Sequence, residues 1–184
     1  MDRKGKIIII SAPSGCGKTT ICHELEKARP EIEISISATT RKPRKGEKQG
    51  KDYYFFTEEE FKKKIRSGYF AEWASVYHNY YGTPKEFLEQ CIKENKTCLL
   101  DIDIQGGMSI KKAYQDAVSF FIIPPSLEEL ERRLKARGTE KDEDVKMRLE
   151  NAKSEMEFKK YYDYILVNDS VEGVVKKIID IINK

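Results

Sequence analysis

The chain of 184 residues carries 34 Lys and Arg against 31 Asp and Glu, so its net charge is +3. This length suits one domain with small insertions, and a charge so close to neutral argues against a bulk binder of nucleic acid. No apolar run approaches the ~20 residues that cross a bilayer, and the isoleucine run at residues 7–10 is too short for the core of a signal peptide. We therefore expect neither nucleic acid nor a membrane as a partner.

The N-terminal half of the sequence predicts strands that alternate with helices. A β-branched run at residues 6–11 predicts a buried strand, and residues 19–28 predict a helix that ends before a proline. Residues 33–37 alternate in polarity and predict a second strand, and residues 53–56 predict a third. A capping-box signature then starts a helix over residues 57–65.

The C-terminal half continues this alternation. Apolar runs at residues 97–102 and 118–123 predict strands of a parallel sheet that is covered on both faces. Ser126 and Glu129 repeat the capping-box signature before a helix that ends near Gly138. The remaining predicted elements are a long charged helix over residues 142–161, a strand over 165–167 and a helix over 171–182. The pattern predicts an α/β fold with a mostly parallel sheet, which residues 39–83 interrupt as an inserted module.

The four cysteines indicate a reducing compartment. Cys16, Cys22, Cys91 and Cys98 have no C-x-x-C spacing, and no pair of neighbouring histidines completes a metal site. Unpaired thiols that are buried or half-buried are the expected state in the cytosol. The sequence therefore predicts a cytoplasmic protein.

A phosphate-binding loop is indicated directly after the first predicted strand. The segment APSGCGKT nearly fits G-x-x-x-x-G-K-[ST], with Ala12 in place of the first glycine. Gly15 and Gly17 let backbone N–H groups surround a phosphate, and Lys18 reaches its oxygens. The Thr19 hydroxyl is the expected ligand of Mg²⁺, and the helix that begins there adds its positive end. We expect a nucleoside triphosphate at this loop.

The loop alone does not select a reaction, because GTPases, ATPases and small-molecule kinases share it. A GTPase would need a late N-K-x-D signature for guanine, which the sequence lacks. A nucleic-acid motor would need a much longer chain. The remaining question is what receives the phosphate.

Cys16 lies in this loop, beside Lys18 and close to the start of a helix. Such surroundings predict a lowered thiol pKa. We therefore expect thiol-directed alkylation at Cys16 to inactivate the protein and ATP to protect it.

A basic stretch and an aromatic segment suggest where the acceptor binds. Residues 41–51 contain six Lys or Arg and one Glu, a net +5, and residues 53–87 contain 12 of the 19 aromatic residues. Arg41 and Arg44 are three apart, so both guanidinium groups can converge on one phosphate. A carboxylate such as Glu72 can accept two N–H groups, which selects guanine over adenine. The residues assigned to function are Arg41, Arg44, Tyr53, Glu72 and Tyr81, whereas most other aromatics are expected in a small core and Lys42, Lys45, Lys48 and Lys51 in solvent.

These motifs resemble those of guanylate kinases over essentially the whole chain. The matching segments are SATTRKPR (37–44), GKDY (50–53), EWA (72–74), NYYGT (79–83), LDIDIQG (100–106), PPS (124–126), RGT (137–139) and VND (167–169). The resemblance implies a P-loop NTPase three-layer core with a parallel sheet, formed by residues 1–38, 84–130 and 160–184. It also implies a small mixed β/α GMP-binding module at residues 39–83 and a helical lid at residues 131–159.

The resemblance further implies roles for individual residues. Those expected to hold the GMP phosphate are Arg41, Arg44, Tyr53 and Tyr81, and those expected to read guanine are Ser37, Glu72, Thr83 and Asp103. The residues expected to contact ATP are Ala12, Pro13, Ser14, Gly15, Cys16, Gly17, Lys18, Thr19, Thr20 and Asn168. The cations expected around the transferred phosphoryl group are Lys18, Arg41 and Arg44 with the lid residues Arg133, Arg137 and Arg148. For Arg133 an ion pair with Glu129, four residues earlier, is an alternative.

The predicted chemistry needs no general base. A phosphate acceptor is largely ionised near neutral pH, since its second pKa is ~6. This agrees with a sequence that has only two histidines. Asp101 ends a predicted strand as a Walker-B-like acid and has three open alternatives: to orient Mg²⁺ through water, to hold a phosphate-binding arginine, or to contact the substrate ribose.

The sequence thus predicts an ATP:GMP phosphotransferase that also accepts dGMP and uses ATP and Mg²⁺, as a monomer or small homo-oligomer. One alternative is a catalytically dead guanylate-kinase-like interaction module, against which the intact Lys18, Arg41 and Arg44 argue. The other is a kinase of a different small phosphorylated acceptor, against which Glu72 and its predicted guanine-reading partners argue.

Overall fold

The computed structural model describes residues 5–76, 78–136 and 142–184. The strands are β1 (Ile7–Ser11), β2 (Glu33–Ile34), β3 (Ala38–Thr39), β4 (Tyr54–Phe55), β5 (Phe70–Val76), β6 (Asn79–Pro84), β7 (Cys98–Asp101), β8 (Val118–Ile123) and β9 (Tyr164–Val167). The helices are α1 (Lys18–Ala28), α2 (Glu58–Arg66), α3 (Lys85–Lys93), α4 (Ile104–Ala113), α5 (Leu127–Ala136), α6 (Asp142–Met156), which continues into a 3-10 helix (Glu157–Tyr161), and α7 (Val171–Ile182).

The larger sheet has the strand order β2-β7-β1-β8-β9, and its pairings are parallel. Ile8 and Ile10 pack into a core with α1, α5, α6 and α7, whereas Ile7 and Ile9 pack on the other face with α3 and α4. Successive residues of a strand point to opposite faces, so a run of isoleucines can serve both cores. The predicted three-layer α/β fold is confirmed.

The smaller sheet has the order β4-β3-β6-β5 and mixes parallel and antiparallel pairs. Its core contains Phe61 and Phe70, whose ring centroids lie 4.4 Å apart, with further aromatics packed around them. The aromatics other than Tyr53 and Tyr81 therefore largely form this small core, as predicted, whereas Trp73 is exposed and Phe87 packs against a core of the larger sheet. A register irregularity after Phe70 places Glu72 opposite Thr83 on the neighbouring strand.

Several predicted elements have different bounds in the structure. The strand predicted over residues 33–37 ends at Ile34, because the chain there leaves β7 and next pairs with the smaller sheet. The long helix predicted over residues 142–161 is α-helical to Met156 and then tightens into a 3-10 helix. The helices α3 and α4 were not predicted from the sequence. Gly138, the predicted end of α5, lies outside the described residues.

Other expectations concern the cysteines, the basic stretch and the membrane. Each cysteine is a free, buried thiol. The lysines at positions 42, 45, 48 and 51 are exposed, as predicted. Within the described ranges, none of the helices combines the length and apolar character that a membrane crossing requires.

Candidate active site

The phosphate loop joins the end of β1 to the start of α1. Gly15 and Gly17 have φ values of 89° and 84°, a left-handed region that favours glycine. Ala12 has no such positive φ, so alanine fits where the loop pattern has glycine. Thr19 and Thr20 lie exposed on the first turn of α1, beside the loop. Strand, loop and helix therefore occur in the order that the sequence predicted.

Asn168, which follows β9, holds the backbone of this loop through a hydrogen bond. Its Nδ2 atom is buried and donates to the carbonyl of Cys16 at 2.7 Å. A Cβ atom on Gly17 would lie 2.7 Å from the same Nδ2, so glycine makes room for the contact. Asn168 thus binds the loop backbone, and its predicted contact with ATP stays a prediction.

Lys18 forms an ion pair with Asp101, which lies at the end of the neighbouring strand β7. Its Nζ also donates to the carbonyl of Ile102 at 3.1 Å. Burial by itself would lower the pKa of Lys18, but the adjacent Asp101 carboxylate outweighs burial and raises it. Lys18 is therefore a firmly cationic group, and Asp101 positions it.

A cavity of about 170 Å³ opens between the two sheets, next to Lys18. The predicted substrate residues among those that line it are Ser37, Tyr53, Glu72, Tyr81, Asp101 and Asp103. These residues come from five separate places along the chain, because Asp101 and Asp103 belong to one segment, and the fold brings them to one pocket beside the phosphate loop.

Two carboxylates define the inner end of this cavity. Glu72 is only 6% exposed and accepts a hydrogen bond of 2.6 Å from the Thr83 hydroxyl. Asp103 caps α4 by accepting from the backbone N–H groups of Gln105 and Gly106 at 3.2 Å and 3.1 Å. The Thr83 side chain is fully buried and donates to Glu72, so its predicted contact with guanine stays a prediction.

Burial raises the pKa of Glu72 from its usual value near 4.5 to about 7. Between these values the folded state holds a proton that the unfolded chain releases, so stability falls as the pH rises through that window. Glu72→Gln has no carboxyl group to release this proton, so the loss of stability with rising pH should be absent in the variant. Between pH 5 and pH 8 the free energy of unfolding of the variant should therefore rise by about 2 to 3 kcal/mol relative to that of wild type. Urea denaturation at four pH values tests this, and a difference that does not change with pH would contradict it.

Arg41 lies next to the cavity without lining it, in contact with the lining residues Tyr53 and Tyr81. We call this part of the site the outer end. Its guanidinium donates through Nη1 and Nη2 to the two carboxylate oxygens of Glu47, each at 2.9 Å, and lies 5.4 Å from the ring centroid of Tyr53. The pKa of Arg41 is raised, chiefly by the hydrogen bond to Glu47 and also by one to Tyr81. Arg44 is exposed, and its backbone N–H donates to Glu47 at 2.7 Å.

The structure thus brings Arg41, Tyr53 and Tyr81 together, whereas Arg44 contacts Glu47 through its backbone N–H. Their role in holding the GMP phosphate stays a prediction. Glu47 was not predicted from the sequence as part of this site. The available signal was its position as the single acid in the basic stretch, three residues after Arg44.

The structure describes two of the three predicted lid arginines, Arg133 and Arg148. Arg133 on α5 donates to Glu129 at 2.7 Å and to the carbonyl of Asn168 at 3.1 Å, so the ion pair that was its alternative is present. Arg148 lies half-buried on α6, and Arg137 lies outside the described residues. The catalytic roles of these arginines stay predictions.

A second acid that sequence analysis missed connects α6 to the phosphate loop. The Glu155 carboxylate accepts a hydrogen bond of 3.3 Å from the backbone N–H of Ser14. Burial raises the pKa of Glu155, and the hydrogen bond from Ser14 opposes that rise. Glu155 has no local sequence signal, because it is one of many charges on a charged helix.

The expectation of a reactive Cys16 is wrong. The thiol is fully buried, and burial raises its pKa to about 12. We expect iodoacetamide at pH 7.5 to leave Cys16 unmodified in the native protein, with and without ATP, and to modify it after unfolding in urea. Peptide mass spectrometry makes the measurement, and rapid native labelling at Cys16 that ATP prevents would restore the earlier hypothesis.

Together the fold and the site define a class of protein. A phosphate loop at the carboxyl end of a parallel strand leads into a helix N-terminus, the arrangement that binds nucleotide phosphates. Beside it, a pocket is lined by carboxylates and by two tyrosines, and Arg41 lies against one of these tyrosines, Tyr53. This is the architecture of a P-loop kinase with a separate acceptor site.

Comparisons with known proteins identify the family. The guanylate kinase family model matches residues 4–184. Guanylate kinases from Caldanaerobacter subterraneus subsp. tengcongensis and Thermotoga maritima are 47% and 46% identical, over 96% and 97% of this chain and 85% and 86% of theirs. The crystal structure of guanylate kinase from Anaplasma phagocytophilum is 36% identical, with a TM-score of 0.83 over 98% of this chain and 86% of that one. The chain belongs to the guanylate kinase family, which confirms the family and the kinase class predicted from its sequence.

Proposed function

We propose that this protein transfers the γ-phosphate of ATP to GMP, and also to dGMP, giving ADP and the nucleoside diphosphate. The observation that carries the proposal is the buried carboxylate of Glu72 at the inner end of a cavity that also borders Lys18. The inner end recognises the base, and the phosphoryl group is transferred beside Lys18.

The inner end of the cavity fits guanine. The guanine edge offers two neighbouring N–H donors, and an ionised carboxylate such as Glu72 accepts both, whereas adenine presents an unprotonated ring nitrogen to it. Asp103 adds a second acceptor at the same end. These carboxylates support guanine over the other bases.

The outer end fits the phosphate of the acceptor. Arg41 already binds the two oxygens of a carboxylate there, which supports its use for the oxygens of a phosphate. Tyr53 and Tyr81 border the same space, with ring centroids 6.3 Å apart, and their hydroxyls can donate to the phosphate.

Transfer depends on alignment and on charge neutralisation more than on covalent chemistry. The acceptor oxygen is already ionised, so the chain needs no general base. Lys18 neutralises charge on the transferred group, and the loop amides hold the phosphates next to it. Arg133, Arg137 and Arg148 would add positive charge when the lid of residues 131–159 closes and excludes water.

The donor set suits Mg²⁺ bound through the nucleotide. Thr19 offers one exposed hydroxyl beside Lys18, and the described residues hold no cluster of three or more His, Cys, Asp or Glu side chains that could cage a metal. Mg²⁺ normally keeps several waters and takes substrate phosphates as ligands, so one protein hydroxyl is sufficient. When bound there, the ion neutralises phosphate charge.

The acceptor test measures ADP release separately with GMP, dGMP, AMP, UMP and CMP, with ATP and Mg²⁺ present. We expect rapid release with GMP and dGMP and slow release with the others. Equal turnover of AMP would overturn the assignment of guanine. The dead interaction module is contradicted by any GMP-dependent turnover.

A further inference from the structure

Gly106, the third residue of α4, borders both carboxylates of the cavity. A Cβ atom at this position would lie 2.5 Å from Oε2 and 2.9 Å from Cδ of Glu72, and 3.0 Å from Oδ1 of Asp103. Contacts under 3.0 Å essentially do not occur for real Cβ atoms, so a side chain here would displace the Glu72 carboxyl group. The backbone N–H of Gly106 meanwhile donates to Asp103 at 3.1 Å.

Glycine at this position has no explanation in backbone conformation. Gly106 lies inside a regular helix and is not among the glycines with positive φ. Glycine in a helix costs about 1 kcal/mol relative to alanine, so a reason is expected in the surroundings. The surroundings supply one, because the space that a methyl group would fill is held by Glu72.

We propose that Gly106 is a positioning residue for recognition of a 6-oxo-2-aminopurine monophosphate. The absence of a side chain at this position determines where the carboxylates of Glu72 and Asp103 lie. This inference rests on the proposed function. Glu72 is held from one side by the Thr83 hydroxyl at 2.6 Å and can approach the helix from the other only where Cβ is absent. A methyl group at position 106 would push Glu72 into the space that the base needs.

The chain offers a matched control in α7. Gly173 is also the third residue of its helix, and its N–H donates to the capping Ser170 hydroxyl at 3.2 Å, much as the N–H of Gly106 donates to Asp103. A Cβ atom at Gly173 would lie 2.7 Å from the Ser170 hydroxyl. Gly173→Ala therefore crowds a helix cap with no guanine-reading carboxylate beside it.

The test compares kcat/KM for GMP with that for IMP, which lacks the 2-amino group that Glu72 reads. We expect Gly106→Ala to lower the GMP to IMP ratio about 10-fold or more while the KM for ATP stays unchanged, since displacements of about 1 Å have effects of that order. Gly173→Ala should leave the ratio at its wild-type value. A folded Gly106→Ala variant with the wild-type ratio would overturn the proposal.

A double variant keeps the test decisive if Gly106→Ala alone does not fold. Glu72→Asp shortens the side chain by one methylene and frees the space that the added methyl needs. In the Glu72→Asp background we expect Gly106→Ala to change kcat/KM for GMP less than 3-fold. An equal decrease in kcat/KM in the wild-type and Glu72→Asp backgrounds, or a large decrease in the double variant, would overturn the proposal. A wild-type protein that does not phosphorylate GMP would instead refute the proposed function.

Discussion

Replacing Lys18 by Ala should lower kcat roughly 10³-fold. The Lys18 ammonium is a cation at the phosphate loop whose charge is secured by Asp101, and phosphoryl transfer depends on cations that neutralise the developing charge. Removal of one preorganised donor to a transition-state oxyanion costs a factor of about 10² to 10³, and here a full charge is lost as well. The loss should appear mainly in kcat, measured by ADP release at saturating ATP and GMP.

Lys27→Ala on the same helix is the control for this variant. Lys27 is exposed and pairs with Glu24 at 2.7 Å on the helix surface, a contact of little energetic weight. Its replacement should leave kcat within 2-fold of wild type. A Lys18→Ala variant that folds normally and keeps more than a tenth of wild-type kcat would show that Lys18 does not serve the transferred phosphate.

Replacing Glu72 by Gln should lower kcat/KM for GMP roughly 10²- to 10³-fold and leave the KM for ATP unchanged. A carboxylate accepts both guanine donors, whereas the amide presents one oxygen acceptor and an NH₂ group that opposes the second donor. Weakening two charge-assisted hydrogen bonds at a buried site costs about 3 to 4 kcal/mol, which is a factor of this size. Steady-state kinetics with GMP varied at fixed ATP make the measurement.

Glu89→Gln serves as the control, because Glu89 is a largely exposed carboxylate on α3 that pairs with Lys85 at 3.2 Å. It should leave the kinetics of both substrates unchanged. Unaltered GMP kinetics in Glu72→Gln would remove Glu72 from base recognition. Burial raises the pKa of Glu72 to about 7, so the pH profile of kcat/KM for GMP should contain a titration near pH 7 in wild type. This titration should be absent in Glu72→Gln.

Local signals in the sequence predicted much of the core. The isoleucine run gave β1 because a strand with apolar residues on both faces is typical of a covered parallel sheet. The Thr57 capping box predicted the start of α2, where both reciprocal hydrogen bonds are present. The phosphate loop could be located for the same reason: its chemistry depends on residues that are adjacent in sequence.

The missed features depend on contacts between distant segments. The partnership of Lys18 with Asp101 requires β1 and β7 to be neighbours, so sequence reasoning left three roles open for Asp101. The burial of Cys16 reverses the effect expected from its helix terminus, and burial cannot be derived from adjacent residues. Glu155 reaches Ser14 across 141 positions of sequence, which no local pattern encodes.

The helix α4 was missed for a related reason. Its first turns contain Gly106 and Gly107, which lower helix propensity. The structure shows what the two glycines accommodate: a Cβ at Gly107 would collide with the Tyr162 hydroxyl, and one at Gly106 would collide with Glu72. Tertiary packing therefore overrides local propensity at the helix that bears Asp103.

One competition reaction tests the central assignment of a guanine monophosphate acceptor most directly. The protein is incubated with ATP labelled in its γ-phosphate, Mg²⁺ and equal concentrations of GMP, AMP, UMP and CMP, and the labelled products are separated by chromatography. We predict that the label appears in GDP, with less than a hundredth as much in ADP, UDP or CDP. Label in ADP or a pyrimidine diphosphate at a level comparable with GDP would contradict the account.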